Sequence, residues 1–253
     1  MVQELIVCVV SAALAVTVFV AGIRLRPKSW HLSEDDTAGE LVLDVVRNLF
    51  IAVVAFVVVL CWQQYDNAQT HTIDEAKALT ETYWLAHTMP EPEHQRIQGL
   101  VREYTERVAG EEWTVMDHEG RLSRSAQQSL DALRDAVQSV QPADESAADN
   151  RTEALEKLED VADSRHEREM DVRRGIPGFI TIALIFGTIL LVLSPVFSGI
   201  RVTTSSILMI ALLGVVIGLT LWEIRNLDRP FSGSTLVPKD AFEQALVRYG
   251  QIS

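Results

Sequence analysis

Three polar residues near the start of a long apolar run are the first candidates for chemistry. Asp44, Arg47 and Asn48 stand at positions i, i+3 and i+4, which places them on one face of a helix. Ionisable groups inside a membrane usually face a cavity or a partner. This spacing therefore predicts either the vestibule of a pore or an Asp44–Arg47 ion pair that positions the helix at the membrane boundary.

Four apolar residues follow at helical spacing and define a second candidate feature. They are Phe50, Val53, Val57 and Leu60. In an oligomer, such side chains arranged around an axis form a hydrophobic constriction that gates by dewetting. The simpler alternative is contact with lipid or with another helix. Together with the three polar residues, these positions form the predicted pore lining.

Small residues predict where membrane helices pack closely. Gly214 and Gly218 form a GxxxG pattern in the last apolar run, and Gly187 lies in the run before it. Glycine lets helix backbones approach each other, which favours packing in the absence of a hydrophobic driving force. The sequence leaves open whether this packing occurs within a protomer or between protomers.

The segment DRPFSG after the last apolar run is the most distinctive motif. It comprises Asp228, Arg229, Pro230, Phe231, Ser232 and Gly233. Proline and glycine favour a tight turn. We expect Phe231 to enter an apolar groove and Arg229 to pair with a carboxylate, so that the segment docks the C-terminal tail under the membrane helices. A gating or ligand contact is the alternative.

Motifs for metal or enzyme chemistry are missing from the sequence. His166 begins HEREM, in which Met170 replaces the second histidine of a zinc HExxH motif. Both cysteines, Cys8 and Cys61, fall in apolar runs, and neither a GxSxG elbow nor a glycine-rich phosphate loop is present. We expect no metal, no cofactor and no enzymatic activity.

The elements that position these residues are dominated by four nearly uncharged runs. They cover residues 5–23, 43–62, 176–197 and 202–222 of the 253-residue chain, and each is long enough to cross a bilayer as a helix. The net charge of −13 excludes a nucleic-acid partner, which requires a basic surface. The fold class is therefore predicted as all-α: an integral membrane protein with four transmembrane helices and an acidic helical domain inserted between the second and third.

The predicted organisation has four parts. Residues 1–63 hold the first two membrane helices and a polar connector with the acidic residues Glu34, Asp35 and Asp36; residues 64–175 form the acidic helical domain with a stalk that continues the second helix to about His87. Residues 176–224 hold the last two membrane helices, and residues 225–253 the turn and a short amphipathic helix. We expect a multi-pass protein of the cell membrane with the acidic domain and both termini in the cytoplasm, although the basic residues flanking the runs give conflicting orientations.

Several segments resemble the bacterial bestrophin-like membrane family, largely a domain of unknown function. They are AFVVVLCWQQYDNAQTHTIDEAKALTETYWLA (55–86), REY (102–104), EEW (111–113) and LDRPFSG (227–233). The resemblance implies two membrane helices, a helical domain, two further helices and a short PFSG tail. Because bestrophins are homo-oligomeric anion channels, it also implies a channel, but the pore-neck motif and the calcium clasp of true bestrophins are not recognisable here.

These observations predict a homo-oligomeric, bestrophin-like protein that passes small ions across the lipid bilayer. The alternative is a non-conducting membrane sensor or scaffold whose acidic domain recruits a partner. The acidic surface itself has three interpretations: a solvated face, a vestibule that attracts cations, or a docking surface for a basic partner. We expect Trp113 in EEW to pack between helices rather than to bind a ligand.

Overall fold

The computed structural model of the protein describes residues 2–25, 37–198 and 200–252. Among these residues, helices joined by turns and loops form the structure, and strands are absent. The helices are α1 (Val2–Leu25), α2 (Thr37–Ala86), α3 (Glu93–Arg107), α4 (Trp113–Glu119), α5 (Arg124–Ser139), α6 (Glu145–Arg173), α7 (Gly178–Phe197), α8 (Thr204–Leu227) and α9 (Asp240–Ile252). A π-helical turn, Val108–Glu112, joins α3 to α4. The acidic connector with Glu34, Asp35 and Asp36 lies outside the described residues.

The chain divides into two compact units. The membrane unit comprises Met1–Trp62 and Ile176–Leu227, and the helical unit comprises Gln63–Gly175 and Asp228–Ser253. Four helices are long and apolar enough to cross a membrane, so the predicted all-α protein with four membrane helices is confirmed. The structure differs from the expected boundaries at the end of the chain, where α8 continues to Leu227 and the tail belongs to the helical unit.

Close packing in the membrane unit depends on small residues. A Cβ atom at Gly214 of α8 would lie 2.7 Å from the Cβ of Ala15 in α1, and one at Gly218 would collide with the side chain of Ser11. The GxxxG pattern thus packs against α1 within one protomer. Gly187 of α7 likewise lies against the ring of Phe50 in α2.

The helical unit has a core of its own. Apolar side chains from the second half of α2 and from α3, α5, α6 and α9 form one cluster, in which Leu79, Leu133 and Leu158 are among the fully buried members. Tyr83 and Tyr249 stack in this core with ring centroids 4.3 Å apart. Leu133 and Leu158 lie on apolar residues that recur at helical spacing in the sequence, with Leu130 and Val137 and with Leu155 and Val161.

Local signals begin and end the helices of this unit. The side chains of Ser123 and Asp144 accept hydrogen bonds from backbone N–H groups in the first turns of α5 and α6, as N-cap residues do. Gly120 adopts a φ of 63° after α4, a conformation in which glycine avoids the steric cost of a side chain.

Candidate functional site

The predicted pore-lining face of α2 lies largely against its own protomer. Phe50 packs on Gly187, Val57 is only 2% exposed, and Val53 and Leu60 are half-buried. For Phe50 and Val57 this placement favours the alternative of contact with another helix over a free pore face. The contact of Phe50 depends on Gly187, whose missing side chain lets α7 approach α2 closely.

The polar end of the same helix remains accessible. Arg47 Nη1 donates a 2.9 Å hydrogen bond to Asp44 Oδ1, and both side chains are exposed at their tips. Asn48 is also exposed. The Asp44–Arg47 ion pair is therefore present, and it is an exposed pair of the kind that contributes roughly 0–1 kcal/mol to stability.

A different face of α2 is exposed along the membrane unit. It carries the residues Leu41, Val45, Asn48, Ala52, Phe56 and Val59, which recur every three or four positions, with Ala55 next to Phe56. This spacing places them on one side of the helix. The exposed face is apolar except for Asn48 and for the exposed Asp44 at its edge, and it is about opposite to the face of Phe50 and Val57.

The C-terminal motif places Phe231 in the core of the helical unit. Phe231 is 2% exposed and clusters with Ala68, Met116 and Val237. Its ring meets Trp113 edge to face, with the centroids 6.2 Å apart. The aromatic side chain thus joins the tail to α2 and α4 of this unit.

Hydrogen bonds hold the turn around that phenylalanine. Val237 N donates to Pro230 O over 2.8 Å, and Trp113 Nε1 donates to Val237 O over 2.8 Å. Gly233 adopts a φ of 98°, which explains why a glycine stands there. Arg229 is exposed and forms no ion pair with any of the described residues, so the expected pairing with a carboxylate is not formed.

The most concentrated chemistry of the chain is a buried charge cluster that the sequence analysis did not anticipate. Its members are Glu75 of α2, Tyr104 of α3, Glu112 of the π-helical turn, and Arg165 and Arg168 of α6. Arg168 donates to Glu75 through Nε and Nη2 over 2.9 and 3.1 Å, and to Glu112 through Nη2 over 2.8 Å. Arg165 binds both oxygens of Glu112 over 3.1 and 2.8 Å.

Tyr104 and two aromatic rings complete the buried charge cluster. The Tyr104 hydroxyl donates to Glu75 over 2.5 Å and accepts from Arg165 over 3.1 Å. The Arg168 guanidinium lies 5.6 Å from the Trp113 ring centroid and 5.4 Å from that of Phe242, within the range of cation–π attraction. Trp113 thus packs between helices, as expected.

Burial and mutual attraction shift the pKa values of this cluster in opposing ways. Burial alone would raise the pKa of Glu112, but the guanidinium groups of Arg168 and Arg165 outweigh it and hold that pKa below its ordinary value of 4.5. Burial raises the pKa of Tyr104 well above 10, and the carboxylate of Glu75 raises it further. At neutral pH, Glu112 is therefore ionised between Arg165 and Arg168, and Tyr104 is a neutral phenol.

The cluster connects distant parts of the chain rather than presenting a reactive surface. Glu75, Glu112 and Arg168 are 0% exposed, and Arg165 is 3% exposed. No group of three or more metal-ligating side chains occurs among the residues that the structure describes, and His166 is exposed. We interpret the cluster as a polar core that fixes how α2, α3, α6 and the π-helical turn pack.

One sequence signal for the cluster was available. Arg165 and Arg168 continue the apolar stripe of Leu158 and Val161 at helical spacing, so they had to point towards the core. A charge on a buried stripe requires a buried counter-charge. Glu75 continues the stripe of Ala68 and Thr72 in the same way, although the sequence alone does not state which charges meet.

Comparison with known proteins agrees with this architecture. The family model of the Bestrophin-like domain matches residues 9–242. A mutant of a bacterial bestrophin homologue from Klebsiella pneumoniae has a TM-score of 0.69 at 12% identity, covering 99% of this chain and 98% of that chain. A second mutant of that homologue has a TM-score of 0.67 at 13% identity, covering 99% and 98%.

A further crystal structure, described as a membrane protein, has a TM-score of 0.69 at 13% identity and covers 97% of this chain and 98% of that chain. At these identities the structural matches show the fold alone. No curated protein matches the chain. The match of the family model over nearly the whole sequence shows that this membrane protein belongs to the Bestrophin-like domain family.

Proposed function

We propose that the protein is a homo-oligomeric ion channel of the cell membrane in which the exposed face of α2 surrounds the pore. The observation that carries this proposal is the continuous exposed stripe from Leu41 to Val59, which the protomer leaves uncovered. Copies arranged around an axis would bring this stripe to the centre, with Asn48 as a polar ring and Phe56 and Val59 as apolar rings. Polar rings and apolar constrictions are the parts from which pores are built.

The proposed lining revises the face expected from the sequence. Asp44 and Asn48 remain beside the pore, whereas Phe50, Val53, Val57 and Leu60 support α2 from behind. Ala52, one turn beyond Asn48, leaves room at the axis, so a large side chain at this position should obstruct the pore. Membership of the Bestrophin-like family supports this proposal, because bestrophins are anion channels.

We also propose that four spans place the helical unit and both termini in the cytoplasm. Arg173 and Arg174 precede α7, and the exposed residues Arg225 and Arg229 lie at and just beyond the end of α8. Basic residues at span ends favour the cytoplasmic side. The variant Ser234→Cys tests this orientation when intact cells are treated with a membrane-impermeant thiol reagent. If the cysteine is not labelled, the result supports a cytoplasmic helical unit; if it is labelled, the result contradicts it.

A non-conducting sensor or scaffold is the second candidate. One observation favours it: beyond Asp44 and Asn48 the exposed face of α2 is apolar, and a dry axis would not pass ions. Disulfide crosslinking of Ala52→Cys in membranes, on a background with Cys8 and Cys61 replaced by serine, tests the oligomer common to both candidates. Crosslinked oligomers with ion flux support the channel, crosslinked oligomers without flux support the scaffold, and absence of crosslinking contradicts an axis lined by α2.

A further inference from the structure

We infer that the membrane unit binds a zwitterionic phospholipid, with its phosphate on Arg47 and one acyl chain in a groove formed by α2, α7 and α8. The inference does not depend on whether the protein conducts ions. It rests on two features that lie together: an apolar groove and an ion pair at its end.

The groove has a volume of about 320 Å³ and apolar walls. Phe50 and Val54 form the side provided by α2, Leu191 the side provided by α7, and Leu213 and Ile217 the side provided by α8. On α2 the lining residues extend from position 47 to 54, which is about 10 Å of helix at 1.5 Å per residue. This length matches part of one acyl chain in one leaflet of a bilayer whose hydrocarbon core is about 30 Å thick.

Arg47 lies at the depth where a long cationic side chain reaches lipid headgroups. Trp62 ends the apolar run of α2 at one membrane boundary, and Arg47 is about 22 Å from it along the helix axis. In a hydrocarbon core of about 30 Å, the Cα atom of Arg47 then lies about 8 Å inside the other boundary. Arginine side chains at such depths extend towards the interface, where phosphate groups are found.

The Asp44–Arg47 pair favours a particular headgroup. Arg47 donates to Asp44 over 2.9 Å, so the two side chains together carry no net charge. A headgroup that combines a phosphate with an ammonium complements both members of the pair. An anionic headgroup without an ammonium would bring its phosphate near the carboxylate of Asp44 without compensation, so we expect it to bind less well.

The test uses the purified full-length protein after delipidation in detergent. Binding of phosphatidylethanolamine, phosphatidylglycerol and diacylglycerol is measured by native mass spectrometry, together with the thermal melting temperature. We expect phosphatidylethanolamine to bind best and to raise the melting temperature most. Arg47→Gln should weaken its binding about tenfold, since a charge-assisted hydrogen bond is lost. Arg201→Gln, at an exposed arginine beside α8, is the matched control and should bind as the unchanged protein does.

Two further substitutions separate a lipid site from a packing defect. Val216→Trp fills the groove and should abolish binding of phosphatidylethanolamine, whereas Val9→Trp, at a similarly exposed valine of α1, should not. Equal binding of all three lipids, or unchanged binding by Arg47→Gln, would overturn the inference. Loss of oligomers by Val216→Trp with lipid binding retained would show that a second copy occupies the groove instead.

Discussion

Glu75 and Arg168 are 93 positions apart in sequence and meet through two hydrogen bonds of 2.9 and 3.1 Å in the core of the helical unit. Both side chains are 0% exposed. The pair joins the continuation of α2 to α6, and Glu112 and Arg165 extend it to the π-helical turn. Because α2 also supplies the proposed pore lining, the helical unit fixes the C-terminal end of that helix.

Removing the central guanidinium should destabilise the helical unit strongly. Arg168→Met leaves the Glu75 carboxylate buried with only the Tyr104 hydroxyl as a partner. The loss of one member of a buried ion pair costs about 3–5 kcal/mol. We expect a large fall in the thermal melting temperature of the protein in detergent, followed by circular dichroism.

Arg173→Ala is the matched control for that substitution. Arg173 is an exposed arginine of the same helix, paired with Glu169 one turn earlier. Such exposed pairs on a helix contribute about 0.3–0.5 kcal/mol, so its melting temperature should barely change. Equal melting temperatures for both variants would show that the buried charge cluster does not stabilise the fold.

Acid should weaken the helical unit through Glu112. Its pKa in the folded protein lies below the ordinary value of 4.5, so its contribution to stability is complete above pH 4.5 and is lost as the pH falls through the folded pKa. The melting temperature of the unchanged protein should therefore fall below pH 4.5, and more steeply than that of Glu112→Gln. Glu111→Gln, at the exposed neighbouring carboxylate, should keep the steep fall; identical slopes for all three proteins would contradict this role of Glu112.

The aromatic anchor of the tail should be essential for stability. Phe231→Ala empties a buried position between Ala68, Met116 and Val237, and such truncations of phenylalanine cost about 3–5 kcal/mol. Limited proteolysis should then cleave the chain after Asp228 at lower protease concentrations. Leu236→Ala, at a more exposed position of the same segment, should resist cleavage as the unchanged protein does. Unaltered proteolysis and melting of Phe231→Ala would dismiss the docking role.

A pair of substitutions tests the packing of α7 on α2. Gly187→Ala places a methyl group in the space of the Phe50 ring, which we expect to destabilise the membrane unit by about 1–3 kcal/mol. Phe50→Ala in the same chain should restore part of that loss. Gly178→Ala, whose added methyl group meets no atom within 4 Å, is the control and should leave the melting temperature unchanged. A double variant less stable than either single one would argue against this contact.

The membrane helices and the apolar stripes of the helical unit were predictable because each depends on local sequence pattern. An uncharged run of about 20 residues has few alternatives to a membrane helix. The close packing at Gly187, Gly214 and Gly218 was also predictable in kind. The partner helix of each glycine was not predictable, since a glycine indicates close approach without indicating which helix approaches.

The exposed face of α2 and the buried charge cluster depend on tertiary contacts, so the sequence did not identify them. Nearly every position of the apolar run is Val, Ile, Leu, Ala or Phe. Because all faces of the helix are apolar, helical spacing does not distinguish a buried face from an exposed one. Phe50 was therefore assigned to the pore, whereas the structure places it against Gly187. The sequence analysis did not single out Arg165 and Arg168, because their partners lie far away in sequence.

The most direct test of the account is ion flux through the exposed face of α2. Liposomes containing the purified protein, with cysteines introduced singly at Ala52 or at Val57 on a background without Cys8 and Cys61, are given K⁺ and Cl⁻ gradients and then a thiol-reactive reagent. We predict flux absent from empty liposomes, blocked on modification of Ala52→Cys and unaffected for Val57→Cys, whose side chain faces the protomer interior. No flux of either ion, or block at Val57 but not at Ala52, would contradict the account.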